Sequence, residues 1–181
     1  MSRERTRQLP LKLYAKAFGK AFVFLAALLI LFGWVHRSYL IHPVAGTSMQ
    51  EALQDGDRIL LSKRSPIVRY SVIGFSMPEE EGMFVKRVIG LPGDSVLVQG
   101  NRLVLSIGDE GFTTTYTFDL DAKAARQLEK TTTIPEGHYF VIGDHTAVSK
   151  DSRTFGWVQA ADIEGKVQYR LYPFSAFGPI N

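Results

Sequence analysis

The stretch that most constrains this chain is AFVFLAALLILFGWV, Ala21 to Val35, which carries no charge. At 1.5 Å per residue a helix of that length covers about 22 Å, short of the ~30 Å hydrocarbon core of a bilayer. Lys16 and Lys20 before it and Arg37 after it can reach water while their stems stay in apolar surroundings, and Trp34 and Tyr39 suit an interface. A helix of about Leu13 to Tyr39 is therefore predicted to cross a membrane once. Because the run is apolar on every face, it does not suit the flank of a soluble core. Arg3, Arg5, Arg7, Lys12, Lys16 and Lys20 precede the run, opposed only by Glu4. Residues 1–20 thus read as a basic cytoplasmic tail attracted to an anionic membrane surface, 21–40 as the transmembrane anchor, and 41–181 as an extracytoplasmic body. The alternative is a cleavable leader, for which the cut would fall near Val44-Ala45-Gly46.

Charge and composition exclude several classes. The chain holds 21 Lys and Arg against 18 Asp and Glu, and removing the tail leaves the remainder at roughly −2, which argues against a nucleic-acid-binding body. No cysteine is present, so thiol catalysis, disulfides and thiolate metal sites are excluded. His36, His42, His138 and His145 have no metal-ligand spacing, and neither metal nor cofactor is expected. With 181 residues, the chain can build one domain of useful core size beyond the anchor.

Past the anchor the pattern becomes short strands and turns. Strands are predicted at Arg58 to Ser62, Tyr70 to Phe75, Met83 to Gly90, Val96 to Val98, Arg102 to Ser106, Thr113 to Phe118, His138 to Ile142 and Lys166 to Pro173. Asp121 to Lys130 reads as a short helix, residues 97–133 as an insertion, and Phe174 to Asn181 as coil. The expected fold class is mainly β.

Three segments carry the chemistry: Gly46-Thr47-Ser48-Met49, Lys86-Arg87-Val88-Ile89-Gly90-Leu91-Pro92-Gly93-Asp94, and the loop from Gly143-Asp144-His145 through Ser149-Lys150-Asp151-Ser152-Arg153 to Gly156. In this order, behind an anchor, they resemble the type I signal peptidase family of membrane-bound Ser/Lys proteases. The resemblance implies an N-terminal transmembrane helix followed by an antiparallel β-sheet catalytic domain with a small β insertion. It further implies Ser48 as nucleophile, Lys86 as general base, Ser149 as the hydroxyl orienting the lysine amine, and Asp144, Asp151 and Arg153 as support. The location implied is the outer face of the bacterial cytoplasmic (inner) membrane, and the substrates are exported precursor proteins.

The chemistry is coherent by itself. A serine hydroxyl needs a base, and a lysine serves only when neutral, so its pKa must fall several units from about 10.4. Burial does this, and strand alternation puts Phe84 and Val88 on the face of Lys86. The Ser48 backbone N–H is the expected first oxyanion donor. Part of the family adds a serine hydroxyl two residues earlier, where this chain has Gly46. Glu51 and Ala52 replace the family's usual proline and threonine, placing a carboxylate near the nucleophile, and His145 replaces an asparagine. These departures suggest a branch dedicated to one substrate, such as a prepilin in a conjugation system. A peptide substrate is expected to add a strand along Met83, Phe84 and Val85 and the approach to Ser48. The alternatives are a Ser/His/Asp triad using His145 with Asp144 or Asp151, a pilin-joining transpeptidase or cyclase, and a non-catalytic membrane-tethered β binding module.

Overall fold

The computed structural model describes residues 11–78, 80–108 and 113–180, and only the backbone of residues 11–17. The expectations placed on Arg3, Glu4, Arg5, Arg7 and Asn181 lie outside the described residues. Contacts divide the chain into two compact units, Met1–Ser38 and Tyr39–Asn181.

The first unit is helix α1, Leu11–Ser38, free of proline and rich in alanine, leucine and phenylalanine. An 18-residue window within its segment Phe18–Ser38 has a mean hydropathy of 2.2 and holds no buried residue. The 21 residues of the segment extend about 31 Å as a helix, matching a hydrocarbon core that the uncharged run alone could not span. Tyr39 and Leu40, expected in the anchor, instead open strand β1, Tyr39–Pro43, where they pair with Ser62 and Leu61.

The second unit holds two antiparallel sheets. The larger is built, among the described residues, from β1, β2 (Arg58–Ser62), β3 (Val72–Ser76), β4 (Met83–Gly90), β8 (His138–Ile142), β9 (Val158–Gln159), β10 (Ile163–Tyr172) and β11 (Gly178–Pro179). Its order is β1-β2-β10-β3-β4-β8-β9, with β11 on β10. The smaller sheet is the meander of β5 (Ser95–Gln99), β6 (Arg102–Gly108) and β7 (Thr113–Asp119). Helix α2, Ala122–Leu128, buries Ala124, Ala125 and Leu128 on one side and packs them with Leu103 and Leu105 of β6 and Phe140 of β8. The predicted strands are present within a few residues of their expected limits. Among the described residues, six short elements escaped sequence reading: β1, β9, β11, α3 (Ser152–Phe155) and the 3-10 turns Ala160–Asp162 and Phe174–Ala176. Of these, β11 lies within the stretch expected to be coil, and it forms by pairing with Tyr169 and Arg170.

Two apolar clusters meet at β4. Val85 packs with Val44, Met49, Leu53, Ile59 and Leu61, whereas Val88 packs with Ile73, Phe75, Val141 and Phe155. Alternation along the strand thus sends neighbouring residues into different cores and fixes the register of the residues between them.

Candidate active site

Ser48 lies in a turn that begins soon after β1. Gln50 N–H donates to the Thr47 carbonyl at 3.1 Å, and Leu53 N–H donates to Met49 at 2.6 Å. Met49 and Leu53 are 2% and 0% exposed, so burying them anchors the turn by roughly 1.5–3 kcal/mol each. Behind the turn, buried Asp57 accepts from Gln54 N–H at 2.9 Å and lies 3.4 Å from Arg170 Nε, an ion pair without hydrogen-bond alignment. Arg170 Nη2 donates to the Ala52 carbonyl. On the other flank, Gly46 has φ +87°, a conformation suited to glycine. Its N–H donates to Asp55 Oδ1 at 2.8 Å and is thereby committed. The Ser48 N–H has no hydrogen-bond partner among the described residues.

Lys86 is in the middle of β4 and only 3% exposed. Its Nζ donates to Ser48 Oγ at 2.6 Å and to the Val85 carbonyl at 2.9 Å, and lies 5.6 Å from the centroid of the Phe84 ring. Burial pushes the amine down from its ordinary 10.5 to about 8, against the opposing pull of Asp151 and Asp144. A hydroxyl in contact with an amine of lowered pKa has the chemistry that a nucleophile and its base require.

The loop after β8 closes the site from the side. Gly143 has no room for a side chain: a Cβ there would come 2.1 Å from Ser149 Oγ and 2.7 Å from the Ser48 carbonyl oxygen. That carbonyl accepts the His145 N–H at 2.9 Å, tying the loop to Ser48. Asp144 receives a two-pronged bond from Arg87, at 2.9 Å from Nε and 2.8 Å from Nη2, while Arg87 Nη1 donates to the Tyr70 carbonyl. Asp144 holds the guanidinium pKa above its ordinary value, with Glu51 adding to the effect. Glu51 therefore bears electrostatically on the Arg87–Asp144 pair. Asp151 is fully buried; it accepts from Arg153 Nε and Nη2, both at 2.8 Å, and from Gly143 N–H at 3.1 Å. These ion pairs are not the exposed loop contacts that sequence alone also allows.

Two expectations differ from this arrangement. Ser149 Oγ is buried beside Gly143 but makes no hydrogen bond among the described residues; the lysine amine instead donates to the Val85 carbonyl and to Ser48 Oγ. The His145 triad is not assembled, because Asp144 and Asp151 are bonded to Arg87 and Arg153, and His145 Nδ1 is buried without a partner among the described residues. Sequence reasoning also gave no role to the Val85 carbonyl or to Asp55. No residue type marks a main-chain acceptor, and Asp55 reads as an ordinary turn residue.

A cleft of about 410 Å³ opens on the pair. His42 and residues 44–49 form one wall, residues 81–86 the other, and Val148 and Lys150 the rim. On its inner side β4 pairs with β3 from Met83 to Arg87, but β8 reaches only Arg87, Val88 and Gly90. Among the described residues, the Met83–Lys86 edge is left without a strand neighbour on the β8 side. Groups of His, Asp or Glu that could hold a metal ion are absent among the described residues.

A membrane-length helix, a mainly antiparallel β body and a buried lysine bonded to a cleft serine define a serine peptidase. Residues 16–172 match the family model described as "Signal peptidase, peptidase S26", and the chain belongs to that family. Within it, the chain is a signal peptidase, a hydrolase that removes signal peptides from exported precursor proteins. Signal peptidase IB of Staphylococcus aureus is 32% identical over 170 residues, covering 83% of this chain and 87% of that one. Signal peptidase I of Bacillus caldolyticus is 36% identical over 146 residues, covering 74% and 80%. A crystal structure of a signal peptidase I from Enterococcus faecalis aligns over 56% of this chain and 97% of that one, at 31% identity and a TM-score of 0.40.

Proposed function

We propose that Ser48 is the nucleophile and Lys86 its general base. The observation that carries this reading is the 2.6 Å hydrogen bond from a buried amine of lowered pKa to the serine hydroxyl. The neutral amine takes the Oγ proton as Oγ attacks the scissile carbonyl, and the ammonium returns that proton to the leaving amine. The same amine then takes a proton from the water that hydrolyses the acyl-enzyme. The uncommitted Ser48 N–H is the donor for the developing oxyanion. Asp144, Asp151 and Arg153 hold the loop behind the pair, and Ser149 and Gly143 fill the space between that loop and Ser48.

The precursor enters extended and pairs with the unpartnered Met83–Lys86 edge. The residue before the cut then lies opposite Val85 and the third before it opposite Met83, where the shallow apolar cleft favours small side chains. Helix α1 anchors the chain with its basic N-terminus in the cytoplasm and the catalytic body on the outer face of the cytoplasmic membrane. An intact Ser48–Lys86 contact weighs against a non-catalytic binding module.

Cleavage of a purified precursor by Ser48→Ala and Lys86→Ala proteins is the direct test. Each variant should keep its circular dichroism spectrum and lose at least about a hundredfold in rate. Normal processing by the Lys86→Ala protein would overturn the base assignment.

A further inference from the structure

The outer end of the cleft is built differently from its catalytic end. Lys150, on the loop between Ser149 and Asp151, pairs with Glu80 in the turn before β4, joining the two lips of the cleft. Both remain accessible, with side chains 50% and 31% exposed. Glu81 is exposed and lines the cleft beside this pair, but has no hydrogen-bond or ion-pair partner among the described residues. Lys150, the cation at this rim, already has its partner in Glu80. The charge left over at the open end is therefore the negative one of Glu81.

We infer that this rim is a charge-selective subsite, favouring a basic side chain about five residues before the cut. The position follows from the proposed substrate register, on which this inference rests. A peptide whose first and third positions lie opposite Val85 and Met83 leaves the strand edge at Met83, and its fifth residue, about 13 Å from the first, reaches the turn beyond Gly82 (φ +91°) where Glu81 lines the cleft. A lysine or arginine there meets an unpaired carboxylate, whereas an acidic residue meets like charge. The apolar walls nearer Ser48 supply no charge selection, so discrimination is confined to this end of the substrate.

The test uses the full chain in non-ionic detergent and three peptides that differ only at the fifth residue before the cut, as Lys, Ala or Glu. At low salt, kcat/KM should be about fivefold higher for Lys than for Glu, with Ala between, and the ratio should shrink in high salt. In the Glu81→Gln protein the Lys-to-Glu ratio should fall to within about twofold, while in Lys150→Ala, which frees Glu80, it should rise above that of the parent. Equal cleavage of all three peptides, an unchanged ratio in Glu81→Gln, or a reduced one in Lys150→Ala would each overturn the subsite alone. Loss of all dependence on Ser48 and Lys86 would overturn the function reading and the subsite with it.

Discussion

As the proposed general base, Lys86 is predicted to set the working pH of the molecule. With the amine at about 8, only about a tenth of the molecules hold the neutral base at pH 7. The predicted kcat/KM therefore rises with pH through a midpoint near 8 and levels off above it, which a pH–rate profile with an uncharged peptide checks. A midpoint near 10 would mean that the lysine is not desolvated in solution. The same shift affects folding. Between about 8 and 10.5 the unfolded chain holds a proton on this lysine that the folded chain has released, so the contribution of Lys86 to stability grows as pH rises through that window. Below it, both states are protonated and the folded state bears the full cost of a buried charge.

The loop from Gly143 to Arg153 is the element on which the geometry depends, and its stiffness comes from Asp151. That carboxylate is 0% exposed and satisfied by Arg153 and the Gly143 N–H. Asp151→Ala strands the guanidinium and an amide together, and should cost about 3–5 kcal/mol, read as a lower urea midpoint. The same change should lower cleavage, because Gly143 touches both Ser149 and the Ser48 carbonyl. Much of this element was legible in the sequence: acids and an arginine in a motif announce an ion-pair network. Which acid pairs with which base was not, since Arg87 reaches Asp144 across 57 positions of chain. Nor was the place of Ser149. A motif records that a hydroxyl is present, but whether the amine turns to it or to the Val85 carbonyl depends on side-chain packing that no spacing encodes. Short strands such as β9 and β11 were illegible for a related reason, because two residues hold no periodicity and exist as strands only through their partners.

For the whole molecule, the division between Ser38 and Tyr39 coincides with the start of β1. A chain beginning at Tyr39 loses no strand, and its three apolar clusters are built from residues after that point. It should fold, unfold cooperatively, and cleave short soluble peptides at a rate within about tenfold of the full chain, falling behind only on precursors held in vesicles. A truncated protein lacking cooperative unfolding would show that the body needs the helix. The order of sheet and anchor was readable because long apolar runs and alternation are strong signals, and the pairing order β2-β10-β3 was not, because strands distant in sequence meet there. The unpaired edge from Met83 to Lys86 carries one more consequence. In the proposed mode of binding it accepts a partner through main-chain groups, and so would engage a segment whose own amides and carbonyls are free. A natively folded protein offers few, confined to exposed edge strands and loops, since most of its main chain is already paired. On the proposed mode of binding, a passenger is shielded after its leader is removed chiefly by its own folding.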